Sequence, residues 1–135
     1  MTHFARRLRE RYGLRGVVDL EDIKRAVWVR RGGGATDVYD IIKPGLPTIR
    51  VVHNPFRDSL VTALSPPRLQ EIREYGGTMP RIEDLAYALG CLLSEDTQDL
   101  EVAKLVREEV YKHLIRREEL CDALANALLL PEEVQ

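Results

Sequence analysis

Hydrophobic positions in the first twenty-six residues follow a helical period. Phe4, Leu8 and Tyr12 recur at a spacing of four, which places them on one face of a helix over residues 4–12. Thr2 is positioned to cap this helix, and Gly13 is positioned to end it in the left-handed conformation. The pattern therefore predicts an amphipathic first helix.

A second, shorter helix is predicted over residues 19–26. Asp19 precedes it as a capping residue, and Asp22 stands where a capping box places its second side chain. Leu20 and Ile23 are three residues apart, so we expect both of them to face inward.

The period then changes to that of strands. Ile49 and Val51 are expected on one face of the third strand, with Arg50 and Val52 on the other. A helix that begins at Asn54 competes with the fourth strand, but the β-branched content favours a hairpin. The predicted strands lie at residues 27–29, 38–42, 48–53 and 59–64.

The remainder of the chain reads as helical. Ser65 is placed to cap a helix that ends at Gly76-Gly77, and Thr78 is placed to cap the next. A long segment over residues 97–130 carries a further apolar stripe. We predict an α+β fold: N-terminal helices with a three- or four-stranded antiparallel sheet, followed by a C-terminal helical unit. Residues 1–135 are expected to form a single domain.

Charge divides the chain into two halves. Residues 1–75 contain 14 basic and 9 acidic residues, whereas the rest contains 6 and 13, so a basic α+β half precedes an acidic helical half (78–135). A basic face indicates an acidic partner, although attraction between the two halves is an equal alternative.

No apolar run approaches the ~20 residues that cross a bilayer, and no apolar signal segment is seen, so the expected compartment is the cytoplasm, without membrane association. Arginine makes up 16 of the 20 basic residues, a hint of a thermophilic or GC-rich source.

An arginine cluster near the amino terminus is the main candidate binding site. Guanidinium groups fit phosphates and carboxylates, so the cluster could track a nucleic-acid backbone or grip an acidic protein surface. A solvated helix face is the competing interpretation. The aromatic candidates for base stacking, Phe4, Tyr12, Trp28 and Tyr39, are each placed more readily in the core. The cluster consists of Arg6, Arg7, Arg9, Arg11 and Arg15.

Catalytic motifs are absent from the sequence. Gly32-Gly33-Gly34 leads from one strand to another and lacks the following Lys-Ser/Thr of a phosphate loop. No G-x-S-x-G sequence occurs, and neither Cys91 nor Cys121 has a histidine close in sequence. We therefore expect a non-catalytic protein without cofactor or metal, in which both cysteines are small core residues.

Two segments within residues 1–65, THFARRLRERYG and IRVVHNPFRDSLVTALS, carry a first similarity. They resemble small toxin-related domains of the barnase/colicin/RelE-like layout, although Phe4 interrupts the expected His-Ala pair. The resemblance implies a metal-independent endoribonuclease with His3 or His53 as general base, Arg50 among the phosphate ligands and Thr62 as a polar contact. The matching positions are His3, Ala5, Arg7, Arg11, Val51, Val52, Pro55, Val61 and Thr62.

Residues 80–133 contain a second similarity. The segments LAYALGCLL and EELCDALANALLLPEE resemble two helices of the ImmA/IrrE metallopeptidases. In that alignment Tyr87 and Cys91 stand in place of the zinc histidines, Ala88 in place of the catalytic glutamate, and Glu118 as the third ligand. Because a zincin needs two imidazoles and a carboxylate base, the resemblance implies a relative without catalytic activity.

The favoured prediction is a small regulatory binding protein. Its arginine-rich N-terminal half would bind nucleic acid, or an acidic surface of an enzyme that handles nucleic acid, such as host transcription machinery. By analogy of size, a phage or mobile-element origin fits. The ribonuclease and the inactive ImmA/IrrE-like protein are the alternatives, and the sequence leaves oligomeric state open.

Overall fold

The central element of the fold is a sheet of four antiparallel strands. Each strand pairs with its neighbour in sequence, so the order across the sheet is β1-β2-β3-β4 and both outer strands are edges. The strands are β1 (Val27–Arg31), β2 (Asp37–Ile41), β3 (Ile49–Asn54) and β4 (Ser59–Ala63).

The structure, a computed structural model, describes residues 2–69, 71–72 and 81–93 of the 135. Helix α1 (His3–Tyr12) and a 3-10 helix (Leu20–Arg25) precede the sheet, and helix α2 (Ile82–Leu93) follows it. The predicted α+β class is confirmed, with four strands rather than three. The predicted C-terminal helices beyond residue 93 lie outside the described residues. Among the described residues, none of the helices combines the length and the apolar character of a membrane-spanning segment.

Both ends of α1 are formed by the residues that the sequence indicated. The Thr2 hydroxyl accepts a hydrogen bond from the Ala5 N–H at 3.1 Å. Gly13 has a φ of 69° and donates its N–H to the Arg9 carbonyl at 2.8 Å. The predicted bounds are confirmed to within one residue, and the buried residues of the helix are Phe4, Leu8 and Tyr12.

The 3-10 helix has the predicted capping box but not the predicted inward face. Asp19 accepts from the Glu21 N–H at 3.0 Å, and Asp22 accepts from the Asp19 N–H at 2.9 Å. Leu20 and Ile23 share a side because a 3-10 helix aligns residues i and i+3. That side is only partly covered, since Leu20 is 38% exposed and no residue of the element is buried. The expectation of two inward-facing residues was therefore wrong.

The two edge strands each contain a β-bulge. Trp28 opposes Tyr39 and Arg30 opposes Val38, so Val29 is an extra residue in β1. An equivalent extra residue, Val61, lies in β4. The bulges shift the faces of the edge strands and leave the alternation of β2 and β3 intact.

Strand β3 has the predicted alternation. Cross-strand pairing puts Arg50 opposite Asp40 and Val51 opposite Tyr39, so neighbouring residues of β3 point to opposite faces. The competing prediction of a helix from Asn54 was wrong, because β3 continues through Asn54. Its side-chain oxygen accepts instead from the N–H groups of Phe56 and Arg57, which stabilises a turn.

The core of this part of the chain lies between α1, the following loop and the sheet, and α1 packs against β4. The sheet contributes β-branched and small residues, which suit a pleated surface covered by a helix. The buried hydrophobic residues that the loop and the sheet contribute to this core include Leu14, Val18, Val38, Ile41, Ile49, Val51 and Ala63.

Residues 2–43 and 48–66 form one compact unit, and residues 44–47 belong with the described part of 67–93 to a second. In the second unit, Leu69 and Ile72 are buried and in helical conformation, within the helix predicted to begin at Pro66-Pro67. The Gly76-Gly77 end and the Thr78 cap lie outside the described residues. The single domain expected over residues 1–135 stays a prediction.

Helix α2 lies where a helix was predicted to follow Thr78. Its residue Leu85 is fully buried. Near its start, Glu83 accepts from the Gly45 N–H at 3.2 Å and from Arg81 Nη2 at 2.7 Å. These contacts fix the 44–47 turn to the beginning of the helix.

Candidate nucleic-acid interface

The five arginines of the N-terminal cluster lie in different environments. Arg6 and Arg9 are exposed on α1, and neither forms an ion pair with another residue of the described ranges. Arg7 pairs with Glu10, with 2.8 Å between Nη1 and Oε2, and both side chains stay partly exposed. Arg15 follows the helix and is half-buried. Within this cluster, Arg6 and Arg9 are thus the guanidinium groups that α1 offers most openly to solvent.

The fourth arginine of the cluster, Arg11, has a structural contact. Its Nη1 donates to the Ala63 carbonyl at 2.7 Å in a partly buried position. Arg11 lies beside the buried face of the helix, three residues after Leu8, which brings its side chain to the end of β4. Arg11, predicted as a binding residue, therefore already connects α1 to the sheet through this hydrogen bond.

Tyr12 extends the hydrogen-bond ladder of β3 where β4 ends. Its hydroxyl accepts from the backbone N–H of Arg50 at 2.9 Å, and the Arg50 carbonyl accepts from the Leu64 N–H at 2.8 Å. Both backbone groups of Arg50 on this side of the strand are thereby satisfied, one by a side chain of α1. Burial raises the pKa of the Tyr12 phenol well above its usual value, an effect that the hydrogen bond from Arg50 only partly offsets.

Replacing Tyr12 by phenylalanine should reduce stability and change its response to alkaline pH. Loss of the acceptor for the Arg50 N–H should lower the free energy of unfolding by about 1–3 kcal/mol. An unfolded tyrosine ionises near pH 10, whereas Tyr12 with its raised pKa keeps its proton when folded, so stability falls as pH rises above about 10. Urea unfolding of both proteins at about pH 8 and about pH 10.5 measures this. The alkaline loss should be smaller for Tyr12→Phe, and an equal loss would contradict the assignment.

The guanidinium of Arg50 is not exposed to a ligand. Its Nε lies 2.8 Å from Asp40 Oδ1 and its Nη2 lies 3.0 Å from Asp40 Oδ2, a two-bond contact between directly opposed residues. Asp40 is fully buried and Arg50 is 8% exposed. The toxin-like resemblance implied that Arg50 binds phosphate. In the structure, its guanidinium instead forms a buried ion pair with Asp40.

The two histidines named as candidate general bases have separate partners. His3 is exposed, with its Nδ1 at 3.3 Å from Nη2 of Arg6. His53 is buried, with Nε2 at 3.0 Å from Asp58 Oδ1 and its ring edge-on to Tyr39 at 6.1 Å between centroids. Each histidine is thus oriented locally, by a different element.

Strand alternation also separates His53 from the other residues of the ribonuclease alternative. Arg50 and Val52 share one face of β3, and Thr62 opposes Val52 on that face. His53, an odd number of residues from Arg50, points to the opposite face. The sheet therefore brings Thr62 and Arg50 to one side and His53 to the other.

Two of the positions in the zincin-like pattern lie on α2, one helical turn apart. Tyr87 and Cys91 are both half-buried, while Glu118 lies outside the described residues, as does Cys121. Among residues 2–69, 71–72 and 81–93, no three His, Cys, Asp or Glu side chains are grouped in a way that could hold a metal ion.

Several exposed residues around β1 were not selected from the sequence. Trp28 is 54% exposed, which makes its predicted place in the core wrong, whereas Phe4 and Tyr12 are buried as predicted. Arg30 and Arg31 are exposed and form no ion pair within the described part of the chain. The succession of a tryptophan and two arginines in VWVRR was the available signal, but the bulge that sets their directions has no signature in the sequence.

Comparisons with known proteins add no family to this description. No protein-family model matches the chain, and no curated protein or solved structure is significantly similar to it. The two resemblances noted in the sequence stay predictions, and the function is inferred from the residues themselves.

Proposed function

We propose that this protein is a small, non-catalytic regulatory protein that binds nucleic acid through the basic surface of its N-terminal half. The observation that carries the proposal is the pair Arg6 and Arg9 on α1. Both side chains are exposed, they lie three residues apart on the helix, and neither pairs with a carboxylate in the described residues. A pair of guanidinium groups at this spacing suits successive contacts with a phosphate backbone.

The charge balance of the first unit supports the same partner. Residues 2–66 contain 12 Lys and Arg and 7 Asp and Glu, an excess of five positive charges. Asp40 and Arg50, one charge of each sign, are buried together, so the remaining residues keep the excess of five. A surface of this kind attracts polyanions over a distance of about a Debye length, ~8–10 Å at physiological salt.

An acidic surface on an enzyme that handles nucleic acid is the second candidate partner, because guanidinium groups fit carboxylates as well as phosphates. The ribonuclease alternative has less support. His53 and Arg50 point to opposite faces of the sheet, and Arg50 is held by Asp40. A general base and a phosphate ligand would have to act on the same group.

A salt titration tests the proposal. We expect the wild-type protein to bind DNA or RNA oligonucleotides with an affinity that falls linearly in a plot of log K against log salt. Arg6→Ala and Arg9→Ala should each reduce the slope by about one, since each removes about one phosphate contact. Fluorescence anisotropy with labelled oligonucleotides measures both quantities.

Lys24→Ala is the matched control. It removes the same charge from an exposed side chain, but the Lys24 ammonium is already paired with Glu21 at 3.1 Å. Equal effects of all three variants would indicate a response to net charge alone and would contradict a site on α1. Absence of binding at low salt would reject nucleic acid as the partner and favour the acidic protein surface.

A further inference from the structure

Trp28 is a large apolar side chain that the core does not cover. It lies on the edge strand β1 and is 54% exposed, although a tryptophan usually covers much of its large apolar surface. Its indole Nε1–H donates to Asp37 Oδ1 at 3.1 Å. The polar edge of the ring is therefore satisfied and its orientation restrained, while more than half of the side chain stays open to solvent.

The bulge at Val29 gives Trp28 its neighbours. Because Val29 is the extra residue, Trp28 opposes Tyr39 and Arg31 opposes Asp37, and these two β2 residues share a face of the sheet. Without the bulge, Arg31 would point to the face opposite Trp28. We call the group Trp28, Tyr39 and Arg31 the Trp28 platform. Tyr39 is partly exposed and Arg31 is exposed, so the platform combines two aromatic rings with a cation.

The exposed charged residues of β1 are two arginines. Arg31 lies on the face of Trp28, whereas Arg30, opposite Val38, lies on the other face, and neither forms an ion pair with a residue of the described ranges. The nearby carboxylate of Asp37 already accepts the indole N–H. Exposed aromatic rings beside unpaired guanidinium groups are the combination with which proteins hold single-stranded nucleic acid, since any base can stack and any phosphate can pair.

Two other occupants fit the observations less well. A peptide strand added to the edge of β1 would need a regular ladder, whereas the bulge at Val29 interrupts the edge in its middle. A DNA duplex has no free base face to place on the indole, since its bases are stacked on one another. Single strands present both the unstacked base and the negative charge.

We infer that Trp28 is a stacking platform for a base of single-stranded nucleic acid, with Arg31, on the same face of the sheet, meeting an adjoining phosphate. The inference rests on the proposed function and specifies the class of nucleic acid. It adds a second contact region, on the sheet, to the arginines of α1.

The chain contains a single tryptophan, so its intrinsic fluorescence reports on Trp28 alone. Titration with oligothymidylate of about 15 nucleotides should quench this fluorescence to saturation, because a stacked base contacts the indole directly. A blunt duplex of equal length should quench it much less at the same salt. Arg31→Ala should reduce the salt slope for the single strand by about one.

Substitution of the ring separates stacking from charge. Trp28→Ala should weaken single-strand binding roughly 5- to 150-fold, the effect of losing one base–aromatic contact, and leave the salt slope unchanged. Trp28→Phe keeps an aromatic face and should retain most of the affinity, which also covers the case in which the alanine variant folds poorly. Val61→Ala, an exposed apolar residue (40%) on the other edge strand, is the control and should bind as the wild type does.

The outcomes distinguish this inference from the proposed function. If no nucleic acid binds, both are rejected. If Arg6→Ala and Arg9→Ala weaken binding but Trp28→Ala does not, or if duplex and single strand bind and quench equally, the stacking platform is rejected and the proposed function stands. Fluorescence that responds to an acidic peptide such as polyglutamate, and not to the oligonucleotide, would replace nucleic acid by a protein partner.

Discussion

Asp40→Ala is expected to lower the free energy of unfolding by about 3–5 kcal/mol, the cost of leaving a buried charge without its partner. Asp40 is fully buried and makes two hydrogen bonds with the Arg50 guanidinium, at 2.8 and 3.0 Å. The alanine variant would keep Arg50 beneath the surface without these two hydrogen bonds. A shift of the urea unfolding midpoint at constant m-value measures the loss.

Two controls identify the origin of that loss. Glu21→Ala breaks the exposed pair with Lys24, whose side chains are 76% and 73% exposed, and should cost less than about 1 kcal/mol. Replacing both buried partners, as Asp40→Leu with Arg50→Met, should recover much of the stability, because the charge is then gone. If Asp40→Ala cost no more than Glu21→Ala, the pair would not be buried as described.

Leu8→Ala is expected to destabilise the protein by about 3–5 kcal/mol. Leu8 is 1% exposed and lies between Phe4 and Tyr12 on the buried face of α1, which packs against β4. Removal of its side chain leaves a cavity at the middle of that contact. Urea or thermal unfolding measures the effect, and circular dichroism tests whether α1 is retained.

Arg9→Ala, one position further along the same helix, is the matched control for Leu8→Ala. Its side chain is exposed, so its removal should change stability by no more than about 0.5 kcal/mol. It should nevertheless weaken nucleic-acid binding. A cost below about 1 kcal/mol for Leu8→Ala would show that α1 is not held by its apolar face.

Local sequence signals were sufficient to predict α1 and the strands. Thr2 and Gly13 determine where the helix begins and ends through their own backbone and side-chain preferences, so neighbouring residues suffice to locate it. The alternation of side chains between the two faces of β3 could also be predicted, since successive side chains of a strand point to opposite faces whatever the partner strand is. These features depend on interactions between residues close in sequence.

Features that depend on cross-strand register could not be predicted. Asp40 in the middle of a strand looks like a solvent-exposed residue until β3 places Arg50 directly opposite. The bulge at Val29 decides on which face Arg31 joins Trp28, yet it arises from how β1 pairs with β2 and not from its own residues. Arg11 resembles its neighbouring arginines in sequence, and only the docking of α1 brings it to the Ala63 carbonyl. The sequence was therefore enough to name Arg6 and Arg9 as candidate binding residues, but not to show the contact of Arg11, the burial of Arg50 or the neighbours of Trp28.

The contact between Arg11 and Ala63 joins residues 52 positions apart in the chain. During synthesis from the amino terminus, α1 is made first, but the strand that covers its apolar face is the last of the four. A helix of ten residues is marginal in water without such cover. The nascent segment therefore emerges from the ribosome with Phe4, Leu8 and Tyr12 exposed to solvent. These side chains can pack against β4 only when the chain through Ala63 has been translated.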